Sequence, residues 1–165
     1  MTAKLLTSLF QYKAWANQGL IDALERIPED ADRRQRALIV LTLDHTSIVD
    51  RIFKARILGE APAFESVVSS RVPALEDLRR TMAETDAWYV DYVGAAVPAE
   101  LDEAVEFTYV ADGEPGRMTR GEMLGHVLTH ANSHRGQIGE LLGRLGVGGA
   151  PDMLTTFLRP AQRPA

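Results

Sequence analysis

The chain of 165 residues contains no cysteine. Disulfides, thiolate metal ligands and cysteine nucleophiles are therefore excluded. Any thiol chemistry would need a thiol from outside. Excess positive charge is also missing: the formal net charge is -5. A mildly acidic chain lacks the concentration of Lys and Arg that nucleic-acid binding uses to displace counterions. Arg33, Arg34 and Arg36 do cluster, but Glu29, Asp30 and Asp32 lie beside them, so they read as the solvated start of a helix. No apolar run approaches the roughly 20 residues needed to span a bilayer. The N-terminal stretch MTAKLLTSLFQYKAW has no long apolar core and no small-residue cleavage site. A cytoplasmic protein without nucleic-acid or membrane partners is expected. Aromatic residues are sparse at 7%, whereas 45% hydrophobic and 25% charged residues suit one folded core.

What the sequence does contain is helical periodicity. Four segments repeat apolar residues at 3–4 spacing, separated by Gly and Pro. The first is expected from about Thr2 to Ile27, with a stripe of Leu5, Leu9, Tyr12, Ala16, Leu20, Ala23 and Ile27, ended by Pro28. The second runs from about Asp30 to Leu58, through Leu38, Leu41, His45, Ile48 and Ile52, and stops at Gly59. The third opens at Pro73 and reaches about Val97, through Leu75, Leu78, Met82, Tyr89, Val93 and Ala96. The fourth opens at Thr119, with Glu122 at capping-box spacing, and ends near Leu145 before Gly146.

Ala61 to Val72 reads as an irregular connection. Val105 to Met118 is β-rich around a turn cluster and predicts a small hairpin. Within it, ADGEPG lacks the spacing and lysine of a phosphate loop and reads as a turn. Asp152 to Leu158 predicts one or two further helical turns. The expected organisation is one all-α four-helix bundle domain over residues 1–158, with a C-terminal tail over 159–165.

Chemistry concentrates in the histidines, of which there are only four. His126, His130 and His134 occur at i, i+4 and i+8 in GHVLTHANSHRGQ. Residues four apart stack one turn above each other, so neighbours can share a metal. The fourth segment's stripe is Leu124, Val127, Ala131, His134, Ile138, Leu141 and Leu145. His134 falls on it, His130 flanks it, and His126 is the least inward. His45 falls on the stripe of the second segment. A lone histidine on an apolar stripe is more often a hydrogen-bonded core residue than a ligand. Three inward imidazoles from two helices are different, because a metal satisfies all of them at once. Three neutral ligands with an open position are also the pattern of a catalytic rather than a structural metal site.

Other residues carry weaker signals. Asp50 could accept a hydrogen bond from a ligand imidazole; Asp44 reads as capping or solvent-facing. Asp44, Asp50 and His126 are the nearest candidates for a general base. Arg135 reads as a surface ion pair, or as an anion contact at the rim. Gln137 could bond a ligand or bridge helices. Tyr12, Trp15, Trp88 and Tyr89 read as core, as do Met82 and Met123. Gly136 and Gly139 would allow close helix approach, within the chain or across a dimer interface.

The segments YKAWANQGLIDAL, LDHTSIVDRIFKARILGE and LGHVLTHANSHRGQIGELLGRLG resemble the DinB-like (DinB/YfiT-like) family, most specifically at HANSHRGQI. The resemblance covers about Leu5 to Leu158. It implies an up-down-down-up four-helix bundle, a divalent metal (often nickel or zinc) held by His45, His130 and His134, and a homodimer. Relatives of the fold include thiol-dependent S-transferases and a mycothiol-dependent maleylpyruvate isomerase. A metal-dependent enzyme acting on a small molecule is thus expected, as a transferase or isomerase using a low-molecular-weight thiol. The alternatives are a metal-dependent hydrolase and a non-catalytic metal-binding or stress-response protein with a structural metal.

Overall fold

The computed structural model describes residues 3–150 and 152–160. The expectations for Thr2 and for the tail from residue 161 onward lie outside them. Four long helices carry the fold: α1 (Ala3–Glu25), α2 (Arg33–Ile57), α3 (Leu75–Ala95) and α5 (Arg120–Arg144). Between α3 and α5 lie a one-turn α4 (Pro98–Leu101) and an antiparallel hairpin of β1 (Ala104–Thr108) and β2 (Pro115–Thr119). A short α6 (Leu154–Phe157) closes the described chain.

Local chemistry sets the helix ends. The Asp32 side chain accepts from the Arg34 and Gln35 amides and starts α2. This places the start at Arg33 rather than Asp30. Thr119 and Glu122 form the reciprocal capping box expected at α5. Gly59 and Gly146 follow α2 and α5 with φ of 74° and 73°, a left-handed turn that side chains resist.

Each long helix packs on two others: α1 on α3 and α5, and α2 on α5 and α3. The contacts give the directions. Phe10 stacks on Tyr89 while Asp22 meets Arg79, so α1 and α3 run antiparallel. Phe53 meets His126 while His45 meets His130, so α2 and α5 are antiparallel as well. Ile39 and Leu43 cluster with Leu78 and Met82, whereas Phe53 and Ile57 cluster with Tyr89 and Val93. Helices α2 and α3 are therefore parallel. A parallel neighbour requires a connection that returns along the bundle, and the irregular residues 58–74 supply it.

Two apolar clusters fill the two ends of this assembly. One contains Leu20, Leu24, Leu43, Met82, Ile138 and Leu142. The other contains Phe10, Val49, Phe53, Tyr89, Leu124 and Val127. Between them lies a polar layer, in which Lys13, Asn17, Asp50, Asp86 and Arg135 are all buried. Two expected stripe positions correct themselves against this core: Leu5 is 48% exposed and Leu38 52% exposed. Leu6, Phe10, Lys13 and Asn17 take the inward face of α1, and Ile39 and Val40 replace Leu38.

Candidate metal centre

The two antiparallel helices α2 and α5 bring His45, His130 and His134 together in the polar layer. His130 Nε2 lies 3.1 Å from His45 Nε2 and 3.2 Å from His134 Nε2. One ligand atom from each of the three lies within 4.8 Å of the others. Two of the rings are held in place from behind. His45 Nδ1 donates to the Val67 carbonyl at 2.7 Å. His134 Nδ1 donates to Gln137 Oε1 at 2.9 Å. A neutral imidazole carries one N–H, so these bonds place the hydrogen on Nδ1 and leave each Nε2 a bare lone pair. Both lone pairs point at the third ring. Val67 sits in the irregular connection, so that segment helps orient a site residue.

Such an arrangement is unfavourable by itself. Three nitrogens share at most one hydrogen between them, and His130 Nδ1 is buried without a partner. Burial, followed by the neighbouring His134 and His45, pushes His130 down to a pKa of about 3. The ring is neutral at physiological pH and available as a ligand. The donor set fits a divalent transition metal: imidazole is a borderline ligand suited to zinc and nickel. Metal–nitrogen bonds of about 2.0–2.1 Å in tetrahedral geometry separate ligand atoms by about 3.3 Å, close to the two Nε2 separations here. The three histidines could hold one such ion.

His126 stays outside this trio. Its ring packs tilted against Phe53 at 4.6 Å and stacks on His130 at 5.3 Å, at the rim of the site. Burial lowers its pKa, so it too is neutral near pH 7. A cavity of about 330 Å³ adjoins the site, with His45, His126 and His130 on its wall. The hairpin covers it through Phe107 and Met118.

Other candidates fall elsewhere. Asp50 does not meet an imidazole: its carboxylate lies 2.6 Å from Lys13 Nζ, which also bonds Asp86 at 2.5 Å. Burial outweighs the attraction of Lys13 and raises Asp50 to a pKa of about 6. Asp44 neither caps nor faces solvent freely: it is 9% exposed, and its Oδ2 is buried without a partner. Arg135 is not a surface residue. It is 4% exposed, pairs with Asp152 at 3.0 Å and lies over the Tyr12 ring. Tyr12 also donates to Asp152 at 2.5 Å, so these residues fasten the segment before α6 to the bundle. Gln137 takes the ligand-bonding role. Gly136 and Gly139 face open space rather than a neighbouring helix of the chain. Tyr89 is fully buried, Tyr12, Trp15 and Trp88 are half-buried, and none of the four lines the cavity. The sequence reading missed Lys13 and Asp86, whose signal was a polar residue at an otherwise apolar helical phase.

Comparison with known proteins places the chain in a family. The family model "DinB family" matches residues 1–164. The chain belongs to the DinB family. Protein DinB of Bacillus subtilis (strain 168) is 23% identical, over 87% of this chain and 87% of its own length. No solved structure matches at a significant level. Among the described residues, no helix is long and apolar enough to cross a membrane.

Proposed function

We propose that this DinB-family chain is a metal-dependent enzyme acting on a small molecule, with one divalent ion, nickel or zinc, held by His45, His130 and His134. The observation that carries this reading is the convergence of two fixed Nε2 lone pairs on His130 beside a cavity. A purely structural ion would be enclosed on all sides; here two of the three rings also form the cavity wall. When bound, a divalent ion on three neutral imidazoles keeps its full charge and acts as a Lewis acid, lowering the pKa of a coordinated water or thiol.

The chain's own residues account for the rest. Val67 and Gln137 hold two ligand rings in the required tautomer. The apolar wall of Val49, Phe53, Phe107 and Met118 excludes water and strengthens electrostatics at the site. The reaction we favour is transfer or isomerisation using a low-molecular-weight thiol, which must be supplied because the chain has no cysteine. A second reading, hydrolysis, is favoured by His126, a neutral imidazole on the cavity wall beside His130 that can accept a proton from water.

One experiment separates them. Protein loaded with nickel or zinc is assayed on electrophilic and ester substrates, with and without added thiol. Turnover that requires the thiol supports transfer. Turnover without it, falling about 10²–10⁴-fold in His126→Ala while metal is retained, supports hydrolysis. The family resemblance also makes a homodimer the proposed assembly, which light scattering in solution checks.

A further inference from the structure

The cavity beside the histidines has a fixed polarity that says what it takes. Five of its wall residues come from one face of α2: His45, Val49, Ile52, Phe53 and Arg56. Their spacing of four, three, one and three is that of a single helical stripe. The cavity therefore runs along α2. Its two ends on that helix, His45 and Arg56, are separated by eleven residues, or about 16 Å of helix axis at ~1.5 Å per residue. Between them the wall is aliphatic or aromatic.

Arg56 is the only permanently charged residue on this wall. Its Nη2 donates to the Thr108 carbonyl at 2.8 Å, and its guanidinium carbon lies 5.6 Å from the Phe107 ring centre. These contacts fix the side chain against the hairpin. Neither neutralises it, and no carboxylate pairs with it among the described residues. Its Nε is buried and makes no hydrogen bond. A guanidinium with no carboxylate partner keeps charge and N–H donors for an anion in the cavity. The two fully buried cations do have carboxylate partners: Lys13 has Asp50 and Asp86, and Arg135 has Asp152. Arg56, half-buried on the wall of the cavity beside the histidines, has none.

We propose that the cavity binds a small organic carboxylate with an apolar body. Its carboxylate pairs with Arg56, its body lies on Val49, Ile52 and Phe53, and its far end faces His45 and His130. The volume of about 330 Å³ is roughly eleven times the ~30 Å³ share of a liquid water, which sets a body on the order of ten non-hydrogen atoms. An aryl or short alkyl chain fits; a nucleotide or a peptide does not. The proposal names the substrate class for the metal centre proposed above. The carboxylate end needs no metal, so binding and metal content can be tested separately.

The probe is 4-phenylbutanoate, with 4-phenylbutanamide as its uncharged counterpart. Both are titrated calorimetrically into the full chain after metal removal, so that no carboxylate can bind an ion instead. The expected result is one site per chain for the carboxylate and at least tenfold weaker binding of the amide. Arg56→Gln should lower carboxylate affinity tenfold or more and bring the two probes together, while Arg56→Lys retains part of the preference. Ile52→Trp, which fills the cavity, should abolish both. Equal affinity of the two probes for the parent protein overturns the proposal, as does no binding of the carboxylate at millimolar concentration; neither depends on a variant folding. Metal content of the untreated protein is measured in parallel. Carboxylate-selective binding to a protein that takes up no metal keeps the pocket and removes the metalloenzyme reading. Metal uptake without probe binding removes the pocket alone.

Discussion

At the scale of single residues, a lysine ammonium inside a helical core has to be compensated where it sits. Lys13 is 1% exposed and has two carboxylates, Asp50 and Asp86, within 2.6 Å. Asn17 donates to the second oxygen of Asp86 at 2.8 Å, and Tyr89 donates to the Asp50 carbonyl at 2.7 Å. Replacing only the cation leaves two buried carboxylates facing each other. Lys13→Met should therefore cost about 3–5 kcal/mol of stability in urea unfolding. The triple variant Lys13→Met, Asp50→Asn, Asp86→Asn should recover most of that loss, because no charge is then left unpaired. The histidines were legible from sequence for a simple reason: helical phase put His45 and His134 on inward stripes and His130 beside one. The Lys13 group was not legible, since polar residues at a core phase look like a break in the stripe until their partners on other helices are known. Arg135 was placed at the surface for the same reason, because Asp152, its partner, comes from beyond the end of its helix.

Among the elements, α5 carries most of the site. It supplies His130, His134, His126 and Gln137, and its first turn continues directly from β2 of the hairpin that covers the cavity. Its N-terminus is held by Thr119 and Glu122, each bonding the other's backbone amide, at 3.1 and 2.7 Å. Thr119→Ala removes one of these bonds and should lower stability by about 1 kcal/mol in chemical unfolding. Hairpin, capping box and both glycine stops were readable because each depends on residues close in sequence. The phase of α1 was read one residue off in its first turns only, since Ala16, Leu20 and Ala23 of the expected stripe are buried. Choosing Leu5 and Leu9 kept the stripe apolar, whereas the inward face runs Leu6, Phe10, Lys13, Asn17 and accepts two polar residues. The irregular connection showed only as an absence of pattern. Its function emerges from position: it returns the chain so that α2 and α3 lie parallel, and it places Val67 against His45.

For the whole molecule, opposed titrations act on acid stability without metal, with His126, also lowered by burial, adding to the effect of His130. His130 is held near a pKa of 3, below the value of about 6.5 of an unfolded histidine. Across that interval the unfolded chain binds the extra proton, so this contribution to stability rises with pH and is lost as pH falls. Asp50 is raised to about 6, above the usual value of 3.8. There the folded chain binds the extra proton, so its contribution is present below pH 4 and lost as pH rises through 6. Over pH 4–6 the two oppose each other. Asp50→Asn removes one of them, and the stability of the metal-free variant should climb more steeply with pH in that window than that of the parent, as read from urea midpoints. A slope equal to or shallower than the parent's would show that Asp50 does not hold its proton in the folded state.

Metal content tests the central claim most directly. The protein is purified without a histidine tag and its transition metals are quantified, beside His45→Ala, His130→Ala, His134→Ala and His126→Ala. The account predicts about one nickel or zinc per chain in the parent, most of it lost in each of the first three variants, and retention in His126→Ala. A parent that carries none and takes up none from added nickel or zinc would contradict it, as would full occupancy in both the His130 and His134 variants.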